Sequence, residues 1–88
     1  MTKYLFAIYD KRAELFAPPF VSENENAARR LVLDALRDPS TLISRYPEDF
    51  GLYRLCVFDE VSGALFECDK LKICDLDMVG NPGSDKGV

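Results

Sequence analysis

Histidine and tryptophan are missing from this sequence of 88 residues, and cysteine is scarce. Without histidine the commonest general base and the commonest zinc ligand are lost together. Neither a Ser/His nor a Cys/His nucleophile pair can be assembled, and no Gly-rich phosphate loop occurs. The expectation is a protein that is not an enzyme and needs no cofactor. The three cysteines, Cys56, Cys68 and Cys74, include no CxxC pair, and their spacings of 12 and 6 match no usual zinc pattern, so no metal is expected. An odd count also argues against a secreted disulfide framework, which leaves free thiols in a reducing compartment as the expectation.

Long apolar runs are absent too, and none approaches the ~18 residues of a membrane span. The start, Met1-Thr2-Lys3-Tyr4, leads into a short apolar stretch that meets a charge at Asp10. A secretory signal has a longer apolar run and a small-residue cleavage site, so the chain is expected inside a cell and away from membranes. Positive charge is in deficit, with a net charge of −4. The overall field of such a chain does not draw in phosphate, and contact with nucleic acid would need a local basic face.

What is present in quantity is aromatic: six Phe and four Tyr. They supply a core and leave ring surface for a partner. The hydrophobic fraction of 48% and charged fraction of 30% are those of a globular chain of one domain, with a thin core.

Residues 3–10 (KYLFAIYD) read as a strand, with Tyr4, Phe6 and Ile8 on one face and Leu5, Ala7 and Tyr9 on the other. Both faces are apolar, as in a strand inside a sheet. Residues 11–21 read as a connection, because Pro18-Pro19 continues neither a helix nor a central strand. Within it, 13–16 fits a turn or a strand continuation equally. Ser22 and Glu25 fit a capping box for a helix over about 23–37, whose apolar positions run from Ala27 to Leu36 and which Asp38-Pro39 ends. Residues 41–46 fit one helical turn. A hairpin follows, pairing 52–58 with 64–68 across Asp59-Glu60-Val61-Ser62-Gly63, where Asp and Gly suit a type I turn closed at positive φ. Residues 71–76 add a fourth strand or an edge.

The fold class expected is α+β: a small antiparallel sheet of three to four strands with one covering helix, in the order β-α-β-β(-β). The domain is expected to span 1–76, with a flexible tail over 77–88. One helix covers one sheet face, so the other meets solvent, a partner or a second copy, and a homodimer through the sheet is the expected solution.

Two sets of residues qualify as a binding site. Arg30 and Arg37 lie seven apart on the helix and share a side, with Arg29 about 100° round from Arg30. They make either a phosphate-contacting strip or an ordinary solvated face, with Arg30 paired to Asp34. Among the strand aromatics, which stack unpaired bases or simply bury, Tyr9 and Tyr53 carry a polar tip and are the ones to test. Arg54 points to the face opposite Tyr53 and cannot join it. The acidic pairs Glu48-Asp49, Asp59-Glu60 and Asp75/Asp77 read as solvated turn, loop or tail residues.

Four segments taken together carry a resemblance: Phe6-Ala7-Ile8-Tyr9-Asp10, Ala17-Pro18-Pro19-Phe20, Pro47-Glu48-Asp49-Phe50 leading into Leu52-Tyr53, and Phe58-Asp59-Glu60 with Ser62-Gly63. In order and spacing, over about residues 4–68, the chain resembles the small nonstructural protein of gokushovirus-type microviruses, which are single-stranded DNA phages. The resemblance implies an accessory protein of the host cytoplasm that assists synthesis or packaging of the single-stranded genome by binding single-stranded DNA. It brings no catalytic motif. The alternative is a protein-interaction module that binds a viral or host replication protein through its sheet face and never touches DNA.

Overall fold

The computed structural model describes residues 2–80. Two long strands form the centre of one antiparallel sheet. Thr2–Asp10 (β1) pairs with Phe50–Asp59, and the ladder runs from Thr2 opposite Asp59 to Asp10 opposite Phe50. A bulge interrupts the register between Leu5 and Phe6, where Cys56 and Arg54 are the successive partners.

Each central strand has two short strands on its outer side. Along β1 lie Leu15–Phe16 (β2) and Phe20–Ser22 (β3). The break between them is Pro18-Pro19, which have no N–H to give to a ladder. The helix α1 (Glu25–Leu36) and a single helical turn, α2 (Leu42–Arg45), come next, before the second long strand, β4 (Phe50–Asp59). Along β4 lie β5 (Leu65–Phe66) and β6 (Leu71–Asp75). The class is α+β as expected, but the described residues form six strands and two α-helices. The added strands β2 and β3 come from the segment read as a connection: 11–14 make the turn, and 15–16 continue as strand.

Helix α1 starts later than the capping box placed it. Ser22 closes β3 opposite Tyr4 and is buried, so it cannot cap. Asn24 does so instead, its side-chain oxygen accepting the Ala27 N–H at 2.8 Å. The expected turn at 59–63 forms as read. The Gly63 N–H donates to the Asp59 carbonyl at 2.7 Å, and Gly63 takes φ +77°, which glycine adopts without a Cβ clash. The Asp59 carboxylate accepts from the Val61 N–H and the Ser62 hydroxyl, which holds its pKa below the ordinary value.

The core lies on one face of the sheet. Phe6 and Leu52 from the two central strands meet Ala28 and Val32 of α1. Leu76 and Val79 close the core from beyond β6 and are 1% and 2% exposed. Packing therefore runs past the boundary expected at residue 76. Of the expected tail, residues 81–88 lie outside the described residues. Among the described residues no helix is long and apolar enough to cross a membrane.

The expectation of three free thiols is corrected. Cys56 and Cys68 form a disulfide, with Cα atoms 4.2 Å apart, while Cys74 is buried in the core. Strand β5 ends at Phe66, opposite Val57, and Glu67 takes φ 51°, a break in the extended backbone that turns Cys68 back towards Cys56.

Candidate nucleic-acid interface on the uncovered sheet face

Side chains alternate along a strand. Phe6 and Leu52 face α1, so Leu5, Ala7, Tyr9, Gly51 and Tyr53 face the other way, where no described element covers the sheet. Strand β2 adds Phe16 beside Tyr9. The three rings touch. Ring centroids are 4.6 Å apart for Tyr9 and Phe16, 5.4 Å for Phe16 and Tyr53, and 5.9 Å for the two tyrosines. The two contacts to Tyr53 are edge-on, an arrangement that follows the ring quadrupoles and contributes roughly 0.5–1.5 kcal/mol per pair beyond burial.

The floor beneath them is made of small residues. Ala7 and Gly51 are both buried. A Cβ built on Gly51 would stand 3.3 Å from Cε1 of Tyr53 and 3.7 Å from Oδ1 of Asp75. Glycine thus lets the tyrosine ring and the carboxylate lie down over the same point of the strand.

That carboxylate belongs to a charged rim. Oδ1 of Asp75 is buried and forms ion pairs with Nζ of both Lys11 and Lys72 at 2.8 Å, although neither ammonium meets hydrogen-bond geometry to it. Lys11 also donates to the Glu48 carbonyl at 2.8 Å. Burial alone would raise the Asp75 pKa, but the two ammonium groups at close range outweigh it and hold it below the usual value. The same contact with Asp75 raises the Lys72 pKa. The face therefore combines three clustered rings with two ammonium groups, an arrangement suited to holding flat, anionic ligands.

The model of the phage ORF5 protein family matches residues 3–79, from β1 to the turn that carries Val79 into the core. The chain belongs to the phage ORF5 protein family. No curated protein matches it, and no solved structure does. All six side chains of the ringed and charged face, Asp75 included, lie within the matched span of this ORF5-family chain.

Tyr9 and Tyr53, singled out in the sequence, are brought together in this ORF5-family protein. Phe16 was missed because it lies in the segment read as a connection. The arginines are not brought to the tyrosines, since α1 packs on the opposite face. They are also divided among themselves. Arg29 is 3% exposed, its Nε donating to Glu25 at 3.1 Å and its Nη1 to the Val79 carbonyl at 3.1 Å. Arg30 is exposed. Arg37, not Arg30, takes Asp34, at 3.2 Å. Arg54 lies over the Tyr4 ring, 5.6 Å from its centroid, away from Tyr53 as expected. Asp75, read as a solvated loop or tail acid, is instead the anion that two lysines share. Only the β6 pairing brings it there, with Asp75 opposite Gly51.

Proposed function

We propose that this ORF5-family chain is a non-enzymatic, nonstructural phage protein that holds single-stranded DNA on its uncovered sheet face. Bases stack on Tyr9, Phe16 and Tyr53, and the lysine rim takes phosphate. The role fits a gokushovirus-type microvirus, whose single-stranded genome must be made or packaged in the host cytoplasm. The observation that carries the reading is the contact of three rings on a sheet face that no described element covers. Stacking needs unpaired bases, so duplex DNA is excluded by its own base stack.

The test is a titration of labelled single-stranded and duplex DNA, followed by anisotropy at two salt concentrations. Preference for the single strand, weakening with salt, supports the reading. The salt slope should correspond to only one or two phosphates, at about 0.7 per phosphate, because the net charge is −4 and few cations face this side. Absence of binding at low salt by folded protein contradicts it.

A second reading is favoured by the apolar margin of the same face. Val21 opposite Leu5 is 43% exposed, and Leu65 opposite Phe58 is 53% exposed. Such a margin suits a second copy or a replication protein. Partners captured through this face that survive nuclease treatment, without DNA affinity, would favour it.

A further inference from the structure

We propose that Lys11 and Lys72 form a phosphodiester-binding subsite beside the aromatic platform, and that Asp75 fills it in place of a phosphate oxygen until the strand arrives. The inference rests on the reading of that platform as a single-strand site. Two ammonium groups converge on one buried carboxylate oxygen, each at 2.8 Å. A phosphodiester offers anionic oxygens that pair with the same two ammonium groups.

Location matters as much as charge. The Asp75 oxygen and the Tyr53 ring both lie over Gly51, and Lys72 is the ladder partner of Tyr53. A base on that ring therefore carries its own backbone towards the lysines. Lys11 is held in place independently of Asp75: its N–H donates to the Asp49 carbonyl at 3.0 Å and its Nζ to the Glu48 carbonyl. The subsite thus keeps its shape when the carboxylate is displaced. The three charged groups sum to +1, enough to attract phosphate, while Asp75 keeps the attraction weak. In an acidic chain this makes binding readily reversible.

The test is oligothymidylate affinity of the full-length chain, measured by anisotropy against salt for the wild type, Asp75→Asn and Lys72→Gln. Asp75→Asn should bind about tenfold more tightly at low salt, because the phosphate no longer has to displace a carboxylate from the two lysines. Lys72→Gln should bind several-fold more weakly, with a slope shallower by about 0.7, one phosphate contact fewer. Wild-type binding that Asp75→Asn leaves unchanged or weakens overturns the subsite and leaves the aromatic platform standing. Should Asp75→Asn not fold, Lys72→Gln decides: an unchanged slope overturns the proposal. No binding by folded wild type removes the platform and the subsite together.

Discussion

Replacing Tyr9, Phe16 and Tyr53 together with leucine is expected to lower oligothymidylate affinity by about thirtyfold or more, a loss of at least roughly 2 kcal/mol, since each stacked base contributes about 1–3 kcal/mol. Leucine is the informative choice. It still shields Ala7 and Gly51 and keeps the face apolar, but it offers no π surface. A site that binds protein through apolar contact should tolerate the exchange; a site that stacks bases should not. Circular dichroism and urea unfolding check that the variant folds, since losing the ring pairs itself costs stability. An affinity within about twofold of the wild type would remove the rings from the account.

Arg29→Ala is expected to destabilise the fold by roughly 2–3 kcal/mol, read from urea unfolding by linear extrapolation. Its guanidinium ties the middle of α1 to the Val79 carbonyl, fifty residues on, and to Glu25 on the preceding turn. Truncation leaves a buried carbonyl without that donor and opens space against the helix. The neighbouring Arg30→Ala should stay within about 0.5 kcal/mol, as an exposed position away from such networks does. Both variants should retain DNA affinity, because α1 lies across the sheet from the rings. If Arg30→Ala and Arg37→Ala together abolish DNA binding while the fold holds, the interface is on the helix and not on the sheet.

The parts of the fold set by local chemistry were legible in the sequence. The first strand, the turn at Asp59 to Gly63 with its hairpin, and the helix follow from strand-favouring residues, turn residues and periodicity, and the helical turn expected within 41–46 forms over Leu42–Arg45 with Thr41 as its cap. The parts set by pairing were not. β2 and β3 span only two and three residues, too short for alternation to show, and they exist because β1 offers a free edge. Ser22 was the better cap by pattern, yet β3 claims it and Asn24 serves. The disulfide was not legible: the odd cysteine count pointed to free thiols, and the pairing depends on the backbone break at Glu67, which no local pattern encodes. For the site, alternation put Tyr9 on the face away from Phe6 and Ile8. Its meeting with Phe16, and that of Lys11 and Lys72 on Asp75, depends on register between distant segments, which no local pattern encodes.

Nuclear magnetic resonance of the labelled protein, titrated with unlabelled oligothymidylate, tests the central claim most directly. Ring and amide signals of Tyr9, Phe16 and Tyr53 should move together, followed by Lys72 and Asp75 on β6, while Arg30 and Arg37 on α1 stay still. Movement confined to α1, or no movement at concentrations where anisotropy reports binding, would contradict a base-stacking site on the uncovered sheet face.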